Sequence, residues 1–255
     1  MSKQRVLQLL NTAGLIAVLV VNGLANAIPL NGKTTGDISD SFDVLFKPAG
    51  YVFSIWGLIY LALLAFVVFQ WRSPENNDRS VEHIGIYFVL SCIANIAWLF
   101  CWHYEQFDLS VLVMLVLLFS LINIYQRLQI GERHPSLAVR WFGHVPFSLY
   151  LGWICVATLA NITIFLEHLG WKGFGLSDGF WLVALLILGL SLAFLFVTQR
   201  RDAVFALVIA WAFAGIAVQN AHMGWIPTVS WIATAGAVVL VLFAIFGSKN
   251  YILER

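Results

Sequence analysis

The apolar runs in this chain are too long to belong to a water-soluble domain. Val6 to Leu30, Ala49 to about Trp71 and Val145 to Leu166 each reach the roughly 20 residues that cross the hydrocarbon core of a bilayer. In that medium every backbone N–H and C=O needs an internal partner, so a crossing segment is either a helix or a strand of a closed barrel. These runs are continuously apolar with no alternation, which selects helices. Composition agrees. Of 255 residues, 61% are hydrophobic and 11% charged, against about 25% charged in a soluble domain. The expected fold is therefore all-α integral membrane, an eight-span helical bundle.

The remaining spans are about Ile84 to His103, Leu109 to about Tyr125, Phe180–Val197, Ala203–Ala221 and Val229–Phe246. A tight Glu105–Asp108 turn makes spans 3 and 4 an antiparallel hairpin. The linker QRLQIGERHPSLAVRW is the most basic stretch and has room for a short interfacial helix. With the N-terminus cytoplasmic, the inside segments hold Lys3, Arg5, Arg72, Arg79, Arg127, Arg133, Arg140, Arg200, Arg201, Lys249 and Arg255. The outside segments hold only Lys33, Lys47 and Lys172. This positive-inside bias supports eight spans with both termini inside, N-in/C-in. Lys3 and Arg5, an apolar stretch and Ala25-Asn26-Ala27 also have the form of a cleavable signal peptide. The length of the run, and Asn22 and Asn26 on one stripe that would face other helices, favour a retained span.

Several function classes recede. A net charge of +1 without a Lys/Arg cluster gives no reason to expect nucleic acid. Cys92, Cys101 and Cys155 lie inside spans and read as small packing residues. No two histidines stand i, i+4 on a helix, so neither a metal site nor an intrinsic cofactor is expected. No Asp, Glu, Lys, Arg or His falls mid-span. This removes the usual acid–base groups, so no catalytic residue is nominated, and it argues against an ion-coupled transporter.

The informative residues are aromatic. In KPAGYVFSIWGLIY, Pro48 suits a first helical turn, and Phe53, Trp56 and Tyr60 then fall at i, i+3 and i+7 on one face. Span 3 carries Asn95, Trp98 and Trp102 at the same spacing, and span 5 carries Pro146, Tyr150, Trp153, Ala157 and Asn161 near one face. Three such stripes would wall a slot for a planar ligand, with rings for stacking and amides for its polar edge. Plain helix packing is the competing account, with Asn95 and Asn161 as glue between helices. Trp71, Trp102, Trp141, Trp171, Trp181, Trp225 and Trp231 lie near span ends and read as interfacial anchors. After Trp171 the texture changes: Ala206, Ala210 and Ala214 recur every fourth residue, and Ala233, Ala235, Gly236 and Ala237 crowd the last span, which suits close backbone approach.

With these residues placed, the chain resembles the TspO/MBR family, the tryptophan-rich sensory proteins that include the mitochondrial translocator protein. The matching pieces are KP followed by GYVFSIWGLIY, then NIAW in span 3 and WICVATLAN in span 5. The resemblance covers about residues 1–168, a five-helix unit, and leaves 169–255 as a three-helix C-terminal extension. It implies a pocket opening near the first loop that binds porphyrins and other hydrophobic molecules, cholesterol among them. It also implies links to tetrapyrrole transport, stress sensing and light-dependent porphyrin breakdown. Trp56 and Trp153 would be the tryptophans implicated in the family, and Ala157 the small residue leaving room for the ligand. The translocator's cholesterol-contact pattern has no match at the end of span 5, while Leu121–Tyr125–Arg127 fits it at the end of span 4. Ser41-Phe42 stands where the family often has Trp-Tyr, and Pro146 precedes Trp153 by seven residues instead of four.

The reading is a sensor or carrier for a hydrophobic planar ligand, tetrapyrrole-like, held by Phe53, Trp56, Tyr60, Asn95, Trp98, Tyr150, Trp153, Ala157 and Asn161. The alternatives are a transporter of a hydrophobic small molecule and a Trp-dependent porphyrin-degrading enzyme. The expected partners are that small molecule, the lipid bilayer of a bacterial cytoplasmic membrane and a second copy of the chain in a homodimer.

Overall fold

Long apolar side chains with few Gly or Pro interruptions favour helix, and short polar residues at the ends fix where each helix begins. Ser2, Ser177 and Asp202 cap three helix starts by accepting from the backbone N–H three residues on. Proline occupies the first turn of two more helices. The computed structural model describes residues 2–28, 30–72, 80–132 and 135–247. In chain order its α-helices are α1 Lys3–Ala27, α2 Thr35–Asp40, α3 Ile55–Arg72, α4 Ser80–Ile84, α5 Tyr87–His103 and α6 Phe107–Arg127. There follow α7 Leu137–Val139, α8 Val145–His168, α9 Asp178–Arg200, α10 Ala203–Gln219 and α11 Ile226–Phe246.

Every regular element among the described residues is helical. Six segments are long and apolar enough to cross a membrane, and Tyr87–His103 and Ala203–Gln219 are shorter apolar helices. At 1.5 Å per residue, the 17 residues of each shorter helix extend about 25 Å, the low end of a bilayer crossing. Of the cations used to orient the chain, Arg79, Arg133, Lys249 and Arg255 lie outside the described residues.

Helix α8 is the axis. It is apolar all round, so it can be surrounded; α3, α6 and α10 pack on it. Helix α1 lies on α3 and α5, α5 and α6 form the expected hairpin, and α10 sits between α8, α9 and α11. The alanine stripe is used inside the chain, since Ala206 and Ala210 are buried. At Gly215 two segments approach closely: a Cβ there would overlap Val52. This lets α10 reach the start of α3, where Ala49 N–H donates to the Gly215 carbonyl (3.1 Å) and Trp211 Nε1 to the Val52 carbonyl (3.2 Å).

The structure corrects two local expectations and adds one element. Pro48 stands before the helix, and the backbone enters α3 through a 3-10 turn over Gly50–Ser54, pinned by those bonds from α10. Among its described residues the basic linker forms no separate interfacial helix; α7 and a π turn over Arg140–His144 run directly into α8. The polar first loop contains α2, closed by a capping box in which Thr34 Oγ1 and the Asp37 carboxylate each accept from the other's backbone N–H.

Candidate ligand site

Helices α3, α5 and α8 converge beneath the first loop, and their aromatic residues meet there. Trp56 is the centre. Its ring stacks on Tyr60 (centroids 5.5 Å apart, planes at 26°), leans on Trp98 (6.3 Å), and meets Tyr150 and Trp153 edge-on (5.9 and 6.2 Å). The 3-10 turn swings Phe53 against Trp153, again edge to face at 5.9 Å. These are the offset and T-shaped geometries that ring quadrupoles prefer.

Between the rings lies a cavity lined by Phe53, Trp56, Trp98, Trp102, Trp153, Val156, Ala157, Ala160, Asn161 and Ile164, roofed by Thr35, Ser39 and Pro48. Its open space is about 30 Å³. That is room for about two waters, and roughly a tenth of the smallest ordinary small-molecule pocket. Tyr60, Asn95 and Tyr150 stand behind the wall.

The polar groups are mostly committed. Asn22 Nδ2 donates to Asn95 Oδ1 (2.9 Å), and Asn95 Nδ2 donates to the Tyr150 hydroxyl (3.0 Å). Trp98 Nε1 donates to Asn161 Oδ1 (2.9 Å), and Asn161 Nδ2 donates to Ser110 Oγ (2.8 Å). These chains tie α1 to α5, and α5 to α6 through α8. Within the aromatic cluster, two buried groups have no hydrogen-bond partner among the described residues, the Trp153 indole N–H and the Tyr60 hydroxyl. Trp153 lines the cavity and is only 2% exposed.

The loop above is held by short tethers. Buried Lys47 donates from Nζ to the Phe42 carbonyl (2.5 Å), Trp102 Nε1 donates to the Thr35 carbonyl (3.2 Å), and Lys33 pairs with Glu105 at the surface (2.6 Å). The Thr34 backbone and side-chain hydrogen bonds hold the Asp37 carboxyl below its ordinary value.

Two sequence expectations fail here. Trp102 is no interfacial anchor: at 3% exposure it stacks on Trp98 (5.6 Å) and walls the cavity. The Leu121–Tyr125–Arg127 pattern presents no sterol face, because Leu121 and Tyr125 are buried and the Tyr125 hydroxyl donates to Asp202 Oδ2 (2.9 Å). Thr35 and Ser39 went unnoticed in the sequence; the Thr34–Asp37 capping spacing was the signal that would have placed them on a helix. Of the two asparagines expected to face other helices, Asn22 does so, whereas Asn26 is exposed and donates to the Asn22 carbonyl of its own helix.

A search of curated proteins and a search of solved structures each found no match. A family model described as TSPO-like protein matches residues 8–246, running through both the first five spans and the last three. The aromatic cluster under the first loop and the match over nearly the whole chain concur: this integral membrane protein belongs to the TSPO-like protein family.

Proposed function

We propose that the chain is a receptor for a hydrophobic, planar small molecule, tetrapyrrole-like in shape, that enters the cavity among α3, α5 and α8. The observation that carries this reading is the unpartnered indole N–H of Trp153, buried in the wall of an otherwise aromatic space. A buried donor without an acceptor costs about 1–3 kcal/mol, and a ligand carbonyl or ring acceptor would recover it. Trp56, Trp98 and Phe53 supply the stacking faces, and Ala157 and Ala160 supply the room. Among the described residues no carboxylate, imidazole or amine lines the cavity, which favours binding over acid–base chemistry.

The space of about 30 Å³ describes a closed state. Loading requires the α2 roof to lift, which breaks the Trp102–Thr35 bond and the Lys33–Glu105 pair but leaves the Asn161 and Asn95 networks intact. In an eight-span, N-in/C-in arrangement this roof faces away from the cytoplasm.

Protoporphyrin IX added to the purified protein should quench tryptophan fluorescence saturably. Trp153→Phe should weaken that binding by about tenfold, the equivalent of 1.4 kcal/mol. Unchanged saturable binding in a Trp56→Phe/Trp153→Phe double variant would place the ligand elsewhere.

A further inference from the structure

A second, larger cavity lies between the end of α8, the first loop and the start of α9. Its open space is about 240 Å³, close to the lower bound of about 300 Å³ for small-molecule pockets. The interior is apolar, with Phe46, Leu159 and Leu182 on its walls. Trp171 and Trp181 form one side, their centroids 5.0 Å apart. The ring of Trp181 is fixed by its Nε1–H donating to the Gly173 carbonyl (3.1 Å), and a Cβ on Gly173, whose φ is +59°, would stand 2.9 Å from that nitrogen. Three carboxylates complete the lining: Asp43 from the loop, Glu167 from α8 and Asp178 from the first turn of α9. None of them forms a salt bridge among the described residues.

An aromatic belt at a span end explains indoles at this level. It does not explain the hollow between them, around which three solvent-exposed carboxylates gather. Indole rings in the wall, carboxylates that add negative charge and an apolar interior together suit an organic ammonium on a hydrophobic body. We propose that this cavity is a second binding site, for a small soluble organic cation with an apolar or aromatic body. A choline lipid headgroup fits less well, because its phosphate would face the same carboxylates.

The probe is benzyltrimethylammonium, titrated into the full-length protein in maltoside micelles by calorimetry, with empty micelles as the blank. Saturable binding is expected, at least about tenfold tighter than that of the anion 3-phenylpropionate. The triple variant Asp43→Asn/Glu167→Gln/Asp178→Asn should lose about tenfold in affinity, the sum of three modest exposed-charge contributions. Protoporphyrin quenching should be untouched in that variant, which separates this site from the cavity under the loop. If the triple variant fails to fold, Asp43→Asn and Glu167→Gln singly should each weaken binding. Dodecylphosphocholine should not displace the probe. Absence of saturable binding, equal binding of the anion, full affinity in the charge-neutral variants or displacement by dodecylphosphocholine would each overturn the assignment.

Discussion

At the scale of single residues, the site separates groups that hold the bundle together from groups left over. Asn95 and Asn161 each bond two neighbours on other helices or side chains, so their amides are spent on structure in the closed state. Tyr60 and Tyr150 make the contrast testable, because both rings pack on Trp56 but only the Tyr150 hydroxyl has a partner. Removing a satisfied interhelical hydrogen bond costs about 0.6–2 kcal/mol in a membrane protein, whereas removing an unsatisfied hydroxyl is neutral or stabilising. Tyr150→Phe should therefore lower resistance to denaturing detergent, and Tyr60→Phe should hold or raise it. Equal losses in the two variants would contradict the hydrogen-bond assignment. The sequence disclosed which residues would cluster, since helical spacing alone puts Trp56, Trp98 and Trp153 deep in their spans. It did not disclose which polar atoms would be satisfied, because Asn95 and Asn161 look alike in a sequence and their partners, Asn22 and Ser110, come from other helices.

At the scale of elements, the helices were legible because hydrophobic length and end-capping are local properties. The exceptions were set by chain far away. The 3-10 entrance to α3 follows from α10 reaching across to Ala49 and Val52. Trp102 looked like an interfacial anchor because it ends a span; α2, folded back from the loop, covers it. The contact at Gly215 carries a prediction at this scale. Gly215→Val would drive a side chain into Val52 and Pro48, an overpacking worth about 1–3 kcal/mol. It should lower the thermal midpoint and, by shifting the turn that aims Phe53, weaken porphyrin quenching. Val52→Ala in the same chain should restore part of both, as expected of a coupled pair. Strictly additive losses would show that α10 does not set the geometry of that turn.

At the scale of the whole molecule, α10, from the C-terminal part of the chain, is part of the site's scaffold. A five-span unit with an appended three-span extension describes the sequence texture, yet α10 packs on α8 and also holds the first loop, through Asn220 Nδ2 donating to the Leu45 carbonyl (3.0 Å). The family match likewise spans residues 8–246. The molecule thus places a nearly closed aromatic cavity beneath a lightly tethered roof, with α8 as one wall and α10 bracing the loop from behind. If a hydrophobic ligand enters that cavity, Ala157→Leu should exclude it by filling the space while leaving every hydrogen bond in place. Titrated with protoporphyrin IX, the variant should keep the wild-type thermal midpoint to within a few degrees and lose saturable tryptophan quenching, whereas wild-type affinity in a folded Ala157→Leu protein would contradict the account.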